Sequence, residues 1–316
     1  MKTFIINKND ADQRLDKFLT KACPSLPKSA MYKYIRKKRI KINGKRAEIS
    51  TRLLENDKIE LYINDDFFEG IPQKERNTCS DVAVAYEDEN ILIANKPFGM
   101  VVHEDESGDK DTLINRIISY LIERNEYNPD AENSFVPALC NRIDRNTAGL
   151  VIAAKNAETL RIMNEKIKEK EIEKSYLCIV HGCPGKKSGT LKSFMKKDSS
   201  KNRVFVYDVP KPDAKTAITK YRVLETKGRL SLLEIDLITG RTHQIRAHMA
   251  HIGHPLLGDG KYGTNELNRP YNAKHQALCS YKLKFAFKDK NALSYLNGKT
   301  VKIENALDII GWNNSQ

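Results

Sequence analysis

Leu15, Phe18, Leu19 and Ala22 recur at helical spacing, so the chain opens on an amphipathic helix that Pro24 and Pro27 end. A second helix is expected from about Ser29. Arg39-Ile40-Lys41-Ile42 then alternates basic and apolar residues and runs into Asn43-Gly44. That pair tolerates positive φ and predicts a tight hairpin. Ile59, Leu61 and Ile63 carry the two-residue period of a strand. Residues 64–80 are polar with Gly and Pro punctuation, which predicts a linker between a first domain at 1–63 and a second at 81–316. In the second domain strand patterns occur at 91–95, 150–154, 175–180, 216–224 and 230–238, and helical patterns at 113–122 and 157–169. Such a mixture predicts an α+β fold. Lys186 to Lys201, rich in Lys, Ser and Gly, is expected to form an exposed loop or hairpin open to solvent or to RNA.

Composition narrows the class of protein. The 316 residues, 40% of them hydrophobic, suffice for one large and one small domain. A formal net charge of +13 points to a polyanionic partner, nucleic acid before all others. No apolar run approaches the roughly 20 residues that span a bilayer. The start, Met1 to Asn7, is too short in apolar residues for a secretory signal. The expectation is a cytoplasmic protein with no membrane partner. Six scattered cysteines include no Cys-x-x-Cys pair, so they are read as reduced thiols, Cys140 included, rather than as disulfides, zinc ligands or a nucleophile.

Charge is concentrated early. From Lys28 to Arg46 there are nine basic residues and no acidic one. Such a run is ordinarily a solvated face. Here the missing acids and the interleaved Tyr32 and Tyr34 favour phosphate contact with base stacking, through Lys37, Lys38, Arg39 and Lys41.

Candidate chemistry lies at Asn141 to Ala154, where Asp144 sits between Arg142 and Arg145 just ahead of an apolar run. The run reads as a buried strand that would hold the polar loop against a rigid edge. The flanking guanidiniums would favour a carboxylate there. By spacing alone, this is equally an ordinary loop ion pair.

Residues 141–150, Asn-Arg-Ile-Asp-Arg-Asn-Thr-Ala-Gly-Leu, closely resemble the His-Arg-Leu-Asp-Arg-Asp-Thr-Ser-Gly-Leu signature of the RluA-type family of RNA pseudouridine synthases. Asn95-Lys96-Pro97-Phe98-Gly99-Met100-Val101-Val102-His103 resembles the family's upstream motif, and Lys174-Ser175-Tyr176 its Lys-x-Tyr motif. Thr239 to His248 matches a further block nearly residue for residue, and His275-Gln276-Ala277-Leu278 completes the order. The two short helices and basic hairpin of the first domain resemble the S4 RNA-binding module, which members acting on large-subunit ribosomal RNA carry.

The resemblance implies a pseudouridine synthase fold: a mixed, largely antiparallel sheet with surrounding helices. It implies isomerisation of uridine in structured RNA, most of all large-subunit ribosomal RNA, without cofactor or metal. Nothing in the sequence suggests an obligate assembly, so a monomer is expected. It also implies roles. Asp144 would be the essential carboxylate, Arg246 its ion-pair partner and Tyr176 the residue beside the target base. Arg142 would fill the gap left by the extruded base and Leu278 would line the uracil pocket. Asn141, Ile143, Asn146 and Ala148 depart from the family pattern, and the two asparagines change hydrogen bonding and charge around Asp144.

Three other readings compete. A transfer RNA synthase would share every motif. A metallohydrolase would use His243, His248, His251 and His254, but there is no His-Glu-x-x-His and the steps of five, three and three spread the rings around a helix. A non-catalytic RNA-binding assembly factor would be favoured had Asp144, Tyr176 or Arg246 been replaced; all three are present.

Overall fold

The computed structural model describes residues 1–68, 79–104 and 108–313. Most of the linker expected at 64–80 therefore lies outside the described residues. Contacts divide the chain into two compact units, one of residues 1–81, 114–138 and 154–161, the other of residues 82–113, 139–153 and 162–316.

The first unit opens on a strand that the periodicity did not predict, and the expected helices, hairpin and later strand follow it. Its strands are β1 (Lys2–Ile5), β2 (Ile40–Ile42), β3 (Lys45–Arg46) and β4 (Lys58–Leu61), with α1 (Leu15–Ala22) and α2 (Lys28–Arg36) between β1 and β2. The sheet order is β1-β4-β2-β3. Asn43 and Gly44, at φ 50° and 72°, make the β2–β3 turn, the left-handed pair that a tight hairpin requires. Phe18, Leu19, Ile40, Ile59 and Leu61 are fully buried together, so the 3.6 and 2 periods converge on one core. Segments far along the chain join this unit. Asp10 accepts hydrogen bonds from Ser134 and Asn133, and Asn9 caps Ala157 N at 3.1 Å. Sequence separation hides such ties, which is why the unit does not follow the division at residue 63.

The second unit carries a mixed sheet built from β5 (Val84–Glu87), β6 (Ile91–Lys96), β7 (Ala138–Leu139), β8 (Ala148–Ala154), β9 (Ile172–His181), β10 (Ser188–Asp198), β11 (Arg203–Tyr207), β12 (Lys215–Lys227), β13 (Leu230–Leu237), β14 (Leu278–Phe285) and β15 (Thr300–Lys302). The order is β11-β10-β12-β13-β9-β14-β8-β6-β5, with β15 on β14 and β7 on β8. Strands β10 with β11 and β12, β12 with β13, β13 with β9, β9 with β14, β14 with β15 and β5 with β6 pair antiparallel, whereas β14 runs parallel to β8. The α+β fold and its mostly antiparallel sheet are as expected. α3 (Leu113–Glu123), which from Ile114 on belongs to the first unit, and α4 (Ala157–Lys168), whose start to Arg161 does too, fall where helical spacing places them; α5 (Gln244–His251) carries His248 and His251, and short α6 (Asn265–Asn268) and α7 (Ala306–Ile309) follow.

Lys186 to Lys201 is mostly strand. β10 is paired on both edges, by β11 and β12, and turns into β11 as the first arm of a hairpin. The hairpin alternative therefore holds and the loop does not. Its lysines alternate with Ser193 and Met195, which are buried, so charge on one face masked a strand period of two.

All seven residues of β8 are buried. One face of the central strands, including Leu150, Ile152, Leu177, Ile179 and Cys279, packs with Trp312 and Ile310 of the carboxyl-terminal segment. In register, Tyr176 and Cys178 of β9 lie opposite Ser280 and Leu278 of β14, on the other face. Candidate chemistry gathers on that other face.

Candidate active site

Asp144 lies in the loop that feeds β8, and the loop is fixed at many points. Asn141, one of the departures from the family pattern, accepts Ile152 N on Oδ1 at 2.8 Å. Cys140 N donates to Ile152 O at 2.7 Å, and Gln276 donates to the Thr147 hydroxyl at 2.8 Å. Beneath the loop is Lys96, fully buried at the end of β6. Its ammonium donates to the carbonyls of Pro97 (2.9 Å), Met100 (2.8 Å) and Arg145 (2.9 Å), tying the two motif segments together. Burial lowers its pKa to about 7, opposed by the charge of Asp144.

The partner of Asp144 is not either flanking arginine. Arg145 turns away to the Gly99 carbonyl (2.9 Å) and Asp109 (3.1 Å), and Arg142 is exposed. Instead Arg246, 102 positions later, donates from Nη1 to Asp144 Oδ2 at 3.2 Å. Its Nε and Nη2 are taken by Asp259, at 2.7 and 3.0 Å. The Asp259 side chain is fully buried, whereas that of Asp144 is 30% exposed. One carboxylate anchors the guanidinium and the other is presented to solvent.

Arg246 is in the first turn of α5, whose start Gln244 locks in place. Gln244 accepts from Thr239 Oγ1 (2.8 Å) and Arg241 N (3.0 Å) and donates to Ile218 O (3.0 Å) and Thr219 Oγ1 (2.9 Å). His243, at φ 50°, precedes the helix and brings Nε2 within 3.9 Å of Asp144 Oδ2. Burial, helped by the nearby charges of Arg246 and Lys261, pushes this imidazole down to about 4 although Asp144 opposes it. Val204 N donates to the Tyr262 hydroxyl at 2.8 Å, and that hydroxyl lies 3.0 Å from His243 Nδ1. The hydroxyl keeps its own proton to give to Nδ1, and in the tautomer that accepts it the ring's proton is on Nε2, facing Asp144.

Tyr176 is buried, and burial pushes its phenol up to about 12, with the Asp144 charge adding to the shift. Leu278 is buried on the same sheet face. Asp144, Arg246 and Tyr176 are thus brought together, with Leu278 on the Tyr176 face. Lys37, Lys38 and Arg39 are exposed at the end of α2, and Lys41 lies over the Tyr62 ring at 5.2 Å from its centre, all within the first unit.

Sequence reasoning missed Asp259, Tyr262 and the ties made by Lys96. Gly258-Asp259-Gly260 carried a signal: an acid among glycines just after the helix that bears Arg246. The four histidines go to separate partners. His248 bridges Ser193 and Thr219, His251 meets Asp208, His254 meets the His181 carbonyl, and His243 faces Tyr262. An acidic trio elsewhere, Glu169, Glu171 and Asp289, surrounds the Lys166 ammonium. Cys23 and Cys279 are buried and raised to about 11 and about 12 by that burial, as befits inert thiols. No helix among the described residues is long and apolar enough to cross a membrane.

The fold resembles that of the solved human RNA pseudouridylate synthase domain-containing proteins 4 and 1. Their TM-scores are 0.56 and 0.54, their identities 19% and 18%, and they cover 72% and 77% of this chain and 92% and 98% of their own. Residues 90–251 match the family model described as RNA pseudouridylate synthase, and residues 13–59 match the S4 domain. An uncharacterized RNA pseudouridine synthase of Mycoplasma capricolum is 34% identical, over 95% of this chain and 97% of its own. The ribosomal large subunit pseudouridine synthase C of Rickettsia typhi is 33% identical over 92% of each. The chain belongs to the RNA pseudouridine synthase family, of the RluA type with an amino-terminal S4 domain, and is an isomerase.

Proposed function

We propose that this enzyme converts uridine to pseudouridine in structured large-subunit ribosomal RNA, with Asp144 as the essential carboxylate and no cofactor. The observation that carries the reading is the chain Asp259–Arg246–Asp144, in which a buried carboxylate orients a guanidinium that in turn presents an accessible one. The reaction breaks the bond from ribose to a base nitrogen, turns the base and rejoins the sugar to a base carbon. It is redox-neutral and consumes no phosphate bond. A fixed carboxylate serves it either as nucleophile or as the partner of a developing sugar cation. Arg246 holds that carboxylate in one rotamer. Tyr176, a neutral phenol at physiological pH, is suited to pack beside the base and to donate a hydrogen bond. Extruding a paired base costs a few kcal/mol, and Arg142, which is exposed, would fill the gap. Lys37, Lys38, Arg39 and Lys41 supply phosphate contacts from the S4 domain, taken as 1–63. The ribosomal substrate is supported by that domain and by relatives named for the ribosomal large subunit, such as the Rickettsia typhi protein.

The test is pseudouridine mapping by carbodiimide labelling and primer extension, on ribosomal and transfer RNA from cells with and without the gene. Specific ribosomal stops should vanish on deletion, return with wild type, and not return with Asp144→Asn. Stops lost only from transfer RNA would move the substrate there. An unchanged pattern in both pools would favour the non-catalytic factor.

A further inference from the structure

We infer that Arg203 and Lys261 form a phosphate-binding corner beside Asp144, which holds the backbone of the RNA strand carrying the target uridine. The inference rests on the RNA-isomerase reading and adds a contact that no sequence motif assigned.

The β10–β11 hairpin and the segment after Gly258 meet at three points. Val204 N donates to the Tyr262 hydroxyl at 2.8 Å, Lys261 Nζ donates to the Asn202 carbonyl at 2.7 Å, and the Arg203 guanidinium lies 5.2 Å from the Tyr262 ring centre. Arg246 lies 5.2 Å from the centre of the same ring. Tyr262 thus gathers two guanidiniums, with the Lys261 ammonium next in sequence, where Arg246 touches Asp144. A cation over an aromatic ring is held in place while its N–H groups stay available.

The nearby carboxylates are already committed. Asp259 gives both oxygens to Arg246, and its Oδ1 also accepts the backbone amides of Lys261 (2.9 Å) and Tyr262 (3.1 Å). Asp198, opposite Arg203 in the hairpin register, turns its Oδ1 to Ser200 N (3.0 Å), Ser200 Oγ (2.6 Å) and Lys201 N (3.2 Å). Asp144 is paired with Arg246. Among the described residues neither Arg203 nor Lys261 forms an ion pair. Burial lowers the pKa of Lys261, and the positive charges of Arg246 and Arg203 lower it further while Asp144 and Asp259 oppose them. An arriving anion relieves that crowding. Of the three Lys261 protons one is used by Asn202, so two remain, alongside the Arg203 fork. A phosphodiester, with two charged oxygens and no donor, matches that set. Its place beside Asp144 is where the target nucleotide must carry its own phosphates.

The test uses the full-length Asp144→Asn chain, so that turnover does not consume the RNA, with Arg203→Gln and Lys261→Gln added singly and together. Binding to transcripts of large-subunit ribosomal RNA and of transfer RNA is followed across a salt series. Each phosphate contact contributes about 0.7 to 0.9 to the slope of log K against log salt. The double variant should therefore lose between one and two units of slope and bind about tenfold more weakly at low salt. Arg203→Lys with Lys261→Arg should restore the slope. An unchanged slope, with Lys37→Glu and Lys38→Glu lowering it in the same assay, would overturn the site. So would weaker binding at constant slope, since that marks lost packing on Tyr262 rather than a lost phosphate. A slope change on either transcript stands whatever the mapping experiment says about ribosomal RNA, so the two readings fail separately.

Discussion

Arg246 divides one guanidinium between two carboxylates, giving Nε and Nη2 to buried Asp259 and only Nη1, at 3.2 Å, to Asp144. The pair with the better geometry is the one that solvent does not reach. Asp259 therefore sets where Arg246 points, and Arg246 sets where Asp144 points. Asp259→Asn keeps the shape and removes the charge. Breaking a buried pair in this way costs on the order of 3 kcal/mol. We expect a lower unfolding temperature and a fall in kcat of about ten- to a hundredfold, by analogy with residues that orient metal ligands. Single-turnover kinetics with KM close to wild type would place the loss in the chemical step. A wild-type kcat would show that Asp144 needs no oriented guanidinium.

Lys96 ties the Asp144 loop to the segment 97–100 through three carbonyls. Lys96→Met fits the apolar volume and makes none of these bonds. Each buried carbonyl left without a donor costs about 1 to 3 kcal/mol. The expected result is a folded but destabilised enzyme with strongly reduced turnover, checked by denaturant unfolding beside activity. Unchanged stability would mean that water replaces the ammonium.

Gly149 sits at φ 117° opposite Ser280, and a Cβ there would lie 2.3 Å from the Ser280 carbonyl oxygen. Backbone cannot retreat as a flexible side chain can, so β8 and β14 would have to separate. Gly149→Ala should cost several kcal/mol, on the order of 4, combining strain at positive φ with the clash. Expression as insoluble protein, or a melting point lower by about 5 to 10 °C, is the expected outcome. A wild-type melting curve would contradict the close approach of these strands.

His248 is held neutral between Ser193 and Thr219, and burial lowers its pKa to about 4 from an ordinary 6.5. The unfolded chain therefore takes up the proton first as pH falls. The stability it contributes is complete above pH 6.5 and is lost progressively down to about pH 4, at most on the order of 3 kcal/mol. His248→Gln should start less stable at pH 7 and lose less than wild type between pH 6.5 and 4. Thermal melts at half-unit pH intervals would show it, and parallel curves would sink the assignment.

Lys37 and Lys38 are exposed at the end of α2. Lys37→Glu with Lys38→Glu should weaken RNA binding and lower its salt slope by about one to two units. Because neither side chain is buried, the melting point should hold. Equal affinity for wild type and variant would remove RNA contact from this patch.

The sequence by itself determined the local elements and singled out the candidate acting groups. The helix 15–22, the Asn43-Gly44 turn, the strand after Asp144 and the motif order all follow from periodicity, turn chemistry or resemblance, because those signals are short-range. Tertiary structure decided the partnerships. Arg142 and Arg145 are neighbours of Asp144 in the chain, yet its ion pair is with Arg246. A loop lets adjacent side chains diverge, while the sheet and α5 bring distant ones together. Asp259, the Lys96 carbonyl cradle and the Tyr262 hub were invisible for the same reason: each works by three-dimensional proximity, and proximity leaves no period in the sequence.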